Sequence, residues 1–213
     1  MKENYNNIML KMIDEIKSSG KTPKLLLHSC CAPCSSHVIA TLTPYFDITI
    51  LYYNPNIEPY EEYEKRKQEE IRFINEYPNV NKLDILDCDY DNDLFHDMSK
   101  GLELIPEGGE RCFKCYELRM KKTASIAKEK GFDYFATTLT VSPLKNSQKL
   151  NEIGTKLERE IGIPYLYSDF KKENGYKHSI ELAKEFNLYR QDYCGCIYSK
   201  RDRELQKKNK STD

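Results

Sequence analysis

The chain has 213 residues, of which 39% are hydrophobic and 31% charged, and its formal net charge is −1 at pH 7. A chain of this length can bury a full hydrophobic core in one domain, so we expect residues 1–213 to form a single domain. The longest apolar runs, such as the one at Leu25, Leu26 and Leu27, are far too short to cross a bilayer, which excludes a membrane-inserted protein.

An amphipathic helix is predicted for about residues 1–20, because apolar side chains recur there at helical spacing. The segment has neither the uninterrupted apolar core nor the small-residue cleavage site of a signal peptide. We therefore expect a cytoplasmic protein, whose cysteines face a reducing compartment.

Apolar runs with strand character alternate with longer helical patterns along the chain. The predicted strands are 24–29, 46–53, 82–88, 135–140 and 164–167. The predicted helices between them are 35–42, 59–77, 112–130, 145–161 and 176–185. This alternation indicates an α/β fold, in which a parallel sheet carries helices on both faces. The basic, polar residues from about 202 to 213 predict a flexible tail.

Seven of the eight cysteines fall into three clusters that long stretches of ordinary globular sequence separate. The clusters are Cys30, Cys31 and Cys34, then Cys112 and Cys115, then Cys194 and Cys196. Thiolates are the ligands that soft metals and iron-sulfur clusters select. In a reducing compartment, clustered cysteines indicate metal binding or catalysis rather than structural disulfides. Cys88 stands alone in a predicted strand, and we assign it no role.

The first cysteine cluster directly follows the first predicted strand and opens the next helix. Ligands bind at the carboxyl ends of the strands in open α/β sheets, and the free amides of a helix N-terminus stabilise thiolates. Chemistry and topology therefore both favour a metal site here. The alternative interpretation is that adjacent Cys30 and Cys31 are small buried hydrophobic residues.

The second and third clusters each allow two interpretations. Cys112 and Cys115 open a helix among basic neighbours, which lower thiol pKa values, but two such pairs also suit a structural zinc site. Cys194 and Cys196 flank a single glycine, which favours a strained, easily reduced disulfide and thus a redox pair. A second pair of metal ligands is the alternative for these two cysteines.

Basic residues concentrate in two segments despite the near-zero net charge. Residues 111–130 carry seven basic and two acidic residues, and residues 200–210 carry six basic and two acidic residues. Such patches favour a nucleic-acid partner. Solvated helix faces produce the same charge runs and remain the alternative interpretation.

Together these motifs resemble the QueH family of epoxyqueuosine reductases, and the resemblance covers most of the chain from Leu25 to Ser199. It lies in HSCCAPC at 28–34, YNPNI at 53–57, ERCFKC at 110–115, TTLTVSP at 137–143 and YRQDYCGC at 189–196.

The resemblance implies a catalytic domain with a Rossmann-like core of the HUP or PP-loop type. Its reaction would be the last step of queuosine biosynthesis, the reduction of epoxyqueuosine to queuosine at the wobble position of tRNA. The partners would be tRNA containing epoxyqueuosine and an unidentified electron donor. By resemblance, the ligands of a [4Fe-4S] cluster are Cys30, Cys31, Cys112 and Cys115. By the same resemblance, Cys194 and Cys196 form a redox-active disulfide.

Further site residues are hypotheses on this basis. Cys34 and Asp91 would hold an additional iron ion that polarises the epoxide oxygen. Asp192 and Tyr193, together with His28, are candidate proton donors. The candidate tRNA contacts are Arg111, Lys114, Arg119, Lys121, Lys122, Arg190 and Gln191.

Two other functions are considered. The opening strand, loop and helix also resemble those of PP-loop tRNA sulfurtransferases, which use ATP and carry SGGxDS where this chain has SCCAPCS at 29–35. The loss of those glycines removes the phosphate-binding loop, so we do not expect ATP to be used. A zinc-dependent binding module without enzymatic activity is the other alternative.

Overall fold

Four parallel strands form the central sheet of the computed structural model, which describes residues 3–210. In chain order they are β1 (Lys24–His28), β2 (Asp47–Leu51), β3 (Leu83–Leu86) and β4 (Tyr134–Thr137). They lie side by side in the order β3-β2-β1-β4. The register pairs His28 with both Leu51 and Thr137, which brings the carboxyl ends of β1, β2 and β4 to one edge of the sheet.

Eight α-helices and one short 3₁₀ helix surround the sheet within residues 3–210. The α-helices are α1 (Tyr5–Ser19), α2 (Ala32–Leu42), α3 (Tyr60–Glu76), α4 (Asn92–Ser99), α5 (Glu110–Glu129), α6 (Ser147–Ile161), α7 (Gly175–Glu185) and α8 (Ile197–Lys210). The 3₁₀ helix, Thr138–Val141, directly follows β4.

The two faces of the sheet are covered by different helices. Leu25 and Leu27 of β1 are buried in a core that also contains apolar side chains of α1, α2 and α3. Leu26, which points to the opposite face, is buried with side chains of α5 and α6. This division follows from the two-residue period of a strand, which sends successive side chains to opposite faces. The predicted parallel sheet with helices on both faces is confirmed.

Local capping explains where α6 begins and ends. Asn146 precedes the helix, and its side-chain oxygen accepts a hydrogen bond of 3.0 Å from the backbone N–H of Lys149. The helix ends at Gly162, which has a φ of 72° in the left-handed region that favours glycine. Lys145, predicted as the first helical residue, therefore lies in the loop before α6.

The predicted strand at 164–167 is wrong. Tyr165 instead forms an isolated parallel bridge to Phe135, next to β4. The strand predicted for 135–140 also ends early, at Thr137, because the Thr137 side chain accepts a hydrogen bond from the N–H of Leu139 and starts the 3₁₀ helix.

The sequence-based prediction missed α4 and α8. Residues 202–210 of the expected flexible tail belong to α8, and residues 211–213 of that tail lie outside the described residues. Residues 1 and 2 of the predicted N-terminal helix also lie outside them, and α1 begins at Tyr5. Among residues 3–210, no helix combines the length and the apolar character that a membrane span requires.

Candidate metal centre

The first cysteine cluster wraps around the N-terminus of α2, at the carboxyl end of β1. The backbone N–H groups of Cys34 and Ser35 both donate to the carbonyl of Cys31 at 3.0 Å, which closes the first turn of the helix. The Asn54 side chain donates to the carbonyl of Ser29 at 2.8 Å and fixes the loop from the neighbouring strand. The loop therefore holds its cysteines at the edge where α/β proteins bind ligands.

Three thiols meet in this loop. The Sγ atoms of Cys30, Cys31 and Cys34 all lie within 4.8 Å of one another, and those of Cys30 and Cys31 are 3.8 Å apart. Cys30 and Cys31 are buried, whereas Cys34 is partly exposed. Among residues 3–210, this is the one group of three or more Cys, His, Asp or Glu side chains with such spacing. These three cysteines are therefore close enough to share one metal ion.

Hydrogen bonds among the three thiols separate their pKa values. Hydrogen bonds with Cys31 and Cys34 hold the pKa of Cys30 well below its usual value. The same hydrogen bonds raise the pKa of Cys31 to about 12 and place the pKa of Cys34 well above its usual value. The Cys30 thiol therefore loses its proton more readily than the thiols of Cys31 and Cys34. A metal cation would replace those protons, as thiolate sites require.

The second and third cysteine clusters meet in a small cavity. Cys112 and Cys115 project from the first turns of α5, and the N–H of Gly108 donates to Sγ of Cys112 at 3.2 Å. Cys194 and Cys196 line the same cavity from the loop before α8. All eight cysteines of the chain are free thiols in this structure.

Cys194 also lines a larger cavity of about 180 Å³ that contains Cys30 and Cys34. The two cavities share four residues: Asn56, Glu107, Arg119 and Cys194. The structure thus places the three clusters side by side. It does not place Cys112 and Cys115 within the close group of Cys30, Cys31 and Cys34.

The turn between Cys194 and Cys196 depends on glycine. Gly195 has a φ of +133°, and a Cβ atom there would stand 2.8 Å from Cγ1 of Ile57. The carbonyl of Gly195 accepts from the N–H of Glu58 at 3.0 Å, and Arg66 donates to the carbonyl of Cys194 at 3.0 Å. These contacts fix the two thiols against the loop that follows β2.

A buried cation, Arg119, lines the cavity of Cys112, Cys115, Cys194 and Cys196. The guanidinium of Arg119 donates to the carbonyl of Cys115 at 3.2 Å and to Asn54 at 3.4 Å, while its Nη2 atom has no partner among the described residues. Buried, unpaired donors are costly, so a group that accepts from them is expected at the cavity. An anionic metal-sulfur group fits both this donor and the thiols beside it.

Sequence reasoning missed one cation in the larger cavity, Lys145. Burial of its ammonium lowers the pKa, but the nearby sulfur groups of Cys194, Cys30 and Cys34 act in the opposite direction and leave the pKa of Lys145 raised. The ammonium is therefore charged. No local motif marks this lysine, because the residues around it come from distant parts of the chain.

The three proton donors suggested by the sequence are already engaged. His28 is fully buried and contacts Thr137 Oγ1 at 2.9 Å, and burial and then Arg119 lower the pKa of His28 to about 3, so it is neutral. Asp192 forms ion pairs with Lys207 and Arg203 at 2.5 and 3.7 Å. The hydroxyl of Tyr193 donates to the carbonyl of Glu58 at 3.2 Å. Each of these three side chains therefore has a structural role in the contacts that it makes.

Asp91 does not join the cysteines. Its carboxylate accepts from the Tyr53 hydroxyl at 3.0 Å and from Lys122 Nζ at 3.5 Å. The close ligand group that contains Cys34 does not include Asp91, and a joint iron site of these two residues stays a prediction.

The candidate tRNA contacts divide into buried and exposed residues. Arg111 and Arg119 are each 1% exposed, so neither presents its guanidinium to solvent in this structure. Gln191 is partly buried and donates to Sγ of Cys31 at 3.0 Å. The exposed or partly exposed candidates are Lys114, Lys121, Lys122 and Arg190.

Comparisons with known proteins find relatives over most of the chain. The family model of epoxyqueuosine reductase QueH matches residues 25–202. Epoxyqueuosine reductase QueH of Staphylococcus epidermidis is 42% identical over 202 residues, which cover 93% of this chain and 85% of the relative. The protein of the same name from Thermotoga maritima is 33% identical over 178 residues, which cover 82% of this chain and 89% of the relative.

A solved structure shares the fold. The U34-tRNA thiolase NcsA from Methanococcus maripaludis, determined with its [4Fe-4S] cluster, superposes with a TM-score of 0.50 at 15% identity. The match covers 91% of this chain and 69% of the thiolase chain. At this identity the likeness shows a common architecture.

Proposed function

The chain belongs to the epoxyqueuosine reductase QueH family, and from this membership we propose that it reduces epoxyqueuosine to queuosine at the wobble position of tRNA. This reaction is the last step of queuosine biosynthesis. It breaks both C–O bonds of an epoxide, forms a C=C bond and releases the oxygen as water, with two electrons and two protons consumed. The proposal includes that the chain forms a single catalytic domain and acts in the cytoplasm.

One observation carries the proposal. Three thiols lie within 4.8 Å of one another at the carboxyl edge of the sheet, and one wall of the adjoining cavity carries a thiol of the third cluster, Cys194. Thiols held this closely suit a soft, redox-active metal, which matches the electron demand of the reaction.

The proposed cofactor is a [4Fe-4S] cluster held by Cys30, Cys31, Cys112 and Cys115. The donor chemistry supports it, because all four ligands are thiols and Arg119, whose Nη2 has no partner among the described residues, lines the cavity of Cys112 and Cys115. When bound, such a cluster supplies electrons one at a time. Cys34 remains available for an additional iron ion.

Cys194 and Cys196 are the proposed redox-active pair. Both thiols line the cavity of Cys112 and Cys115, and Gly195 allows the tight turn between them. A pair of thiols that forms and breaks one disulfide exchanges two electrons, which is the number the reaction needs. An external electron donor must then reduce the pair again.

Substrate tRNA would approach the larger cavity from its open side. Arg190 is an exposed residue of that cavity, and Lys114 and Lys121 are exposed on α5. We propose these basic side chains as phosphate contacts, because phosphate binding depends on exposed positive charge. The buried Arg111 and Arg119 are not retained in this role.

The test is conversion of the substrate by the protein purified without oxygen. The protein is incubated with dithionite and tRNA carrying epoxyqueuosine, and the digested tRNA is analysed by mass spectrometry for queuosine. Iron, zinc and acid-labile sulfide are measured on the same sample. Queuosine formed by an iron-loaded protein is the expected result. A colourless, zinc-loaded protein without conversion would favour the binding module, and full iron occupancy without conversion would favour sulfur transfer to tRNA.

A further inference from the structure

Lys145 occupies a distinctive position in the larger cavity. The residue lies in the loop between the 3₁₀ helix and α6, where its N–H donates to the carbonyl of Ser142 at 3.2 Å. Its own carbonyl accepts from Lys171 Nζ at 3.4 Å. The backbone is thus fixed on both sides while the side chain lines the cavity with Cys30, Cys34 and Cys194.

The ammonium of Lys145 has no acceptor within the described part of the chain. No carboxylate of residues 3–210 lies within 4.0 Å of its Nζ atom, and no hydrogen bond from Nζ is formed there. Neighbouring lysines behave differently. Lys171 pairs with Asp169 at 3.1 Å and Lys149 pairs with Glu152 at 3.4 Å. A charged donor with three free N–H bonds therefore faces the cavity in which the thiols lie.

The proposed reaction needs such a donor. When a C–O bond of the epoxide breaks, negative charge develops on the oxygen, and a proton or a cation must stabilise it. His28, Asp192 and Tyr193 are each bound to other groups. Arg119 also lines the cavity, but a guanidinium does not give up its proton in proteins. Lysine side chains, in contrast, serve as general acids and bases in enzymes.

On the basis of the proposed function, we propose that Lys145 is the catalytic residue that donates a proton to the epoxide oxygen. As the first C–O bond breaks, the oxygen takes a proton from Nζ and becomes a hydroxyl group. Cleavage of the second C–O bond, with a further proton from water, releases that oxygen as water and leaves the C=C bond. The external reductant supplies both electrons, and water returns the proton to Lys145.

The experiment compares single-turnover conversion by the parent with that by Lys145→Ala and Lys145→Arg. Lys156→Ala is the matched control, because Lys156 is 53% exposed and pairs with Glu117 outside the cavity. Iron content and tRNA affinity are measured for every variant. The reaction of Lys145→Ala is repeated with methylammonium and ethylammonium, which can supply the missing proton donor.

We expect Lys145→Ala to convert about 100-fold more slowly or worse, which is the usual contribution of a general acid. Iron content and tRNA affinity should stay near those of the parent, the two amines should restore part of the rate, and Lys145→Arg should remain slow. If Lys145→Ala holds less iron than the parent, the assignment is judged on Lys145→Arg, which keeps the positive charge. Slow conversion by Lys145→Arg then supports Lys145 as the proton donor.

Three results would overturn the assignment: a rate for Lys145→Ala close to that of the parent, full activity of Lys145→Arg, or no acceleration by either amine. Failure of the parent itself to form queuosine would instead reject the proposed function, so the two failures are distinguishable.

Discussion

The side-chain amide of Gln191 donates a hydrogen bond of 3.0 Å from Nε2 to Sγ of Cys31. This contact joins the loop of the third cysteine cluster to the loop of the first one, across 160 residues of sequence. Donors that hold a ligating sulfur in place also determine how firmly the metal is bound. Gln191 is therefore a link between the metal site and the proposed redox pair.

Loss of this hydrogen bond should weaken metal binding. We expect Gln191→Leu to lose iron to a chelator about tenfold faster than the parent, the lower end of what such supporting contacts contribute. Gln68→Leu is the control, because Gln68 is exposed on α3 and bonds only to Glu64 in the described structure. Equal rates of iron loss for Gln191→Leu and Gln68→Leu would contradict the role.

Glu70 should make the protein less stable as the pH rises. Burial raises the pKa of Glu70 from 4.5 to about 8, against the opposing effect of the Ser35 and Ser29 hydroxyls. Between these pH values the unfolded chain loses the proton while the folded chain retains it. The free energy of unfolding therefore falls with rising pH, by on the order of 1.4 kcal/mol per pH unit.

Urea denaturation of Glu70→Gln tests this dependence. The neutral amide removes the titration, so the stability of the variant relative to the parent should increase between pH 5 and pH 8. Glu61→Gln, an exposed change on the same helix, should show no such trend. A stability difference for Glu70→Gln that stays constant with pH would refute the prediction.

His37 should have the opposite pH dependence. Its Nδ1 lies 2.9 Å from Nδ1 of His178, and burial, followed by His178, lowers the pKa of His37 from 6.5 to about 4. Below pH 6.5 the unfolded chain binds a proton that the folded chain does not bind until about pH 4. Stability attributable to His37 is therefore lost as the pH falls through this window.

Thermal unfolding between pH 7 and pH 4.5 tests whether His37 lowers the stability of the protein as the pH falls. His37→Gln should lose less stability on acidification than the parent, because it has no proton to gain. His96→Gln provides the control on α4, away from the His37 and His178 pair. If acidification destabilised His37→Gln as much as the parent, another group would be responsible.

Gly154 should not accept a side chain. A Cβ atom on this α6 residue would stand 2.3 Å from the ring of the fully buried Tyr165. We expect Gly154→Ala to lower the free energy of unfolding by about 1–3 kcal/mol, the usual cost of overpacking a core. In a Tyr165→Leu background, the same change should cost less. Additive effects of the two substitutions would contradict a steric origin.

The sheet and its flanking helices could be predicted from local pattern. Continuous apolar runs such as 25–27 are typical of buried parallel strands, and the first cysteine cluster is contiguous in sequence. The helix α4 was missed because its eight residues offer few apolar positions, of which Phe95 is buried. The helix α8 was missed because its sequence is largely polar.

Long-range features of the site could not be predicted. Arg111 and Arg119 belong to a basic segment, which favours a solvated face, yet both are buried. The guanidinium of Arg111 donates to the carbonyls of Leu102 and Glu103, and Arg119 bonds to Cys115 and Asn54. Lys145 shares a cavity with Cys34 and Cys194, and nothing in local spacing indicates that these three meet.

The most direct test of the central claim is conversion of epoxyqueuosine tRNA by Cys31→Ala beside Cys88→Ala. Cys31 belongs to the close group of three thiols, whereas the Cys88 thiol lies outside it and donates to the carbonyl of Tyr52 at 3.3 Å. We predict that Cys31→Ala forms no queuosine and binds less iron, and that Cys88→Ala matches the parent in both. Conversion by Cys31→Ala at the rate of the parent would contradict a metal centre at these cysteines.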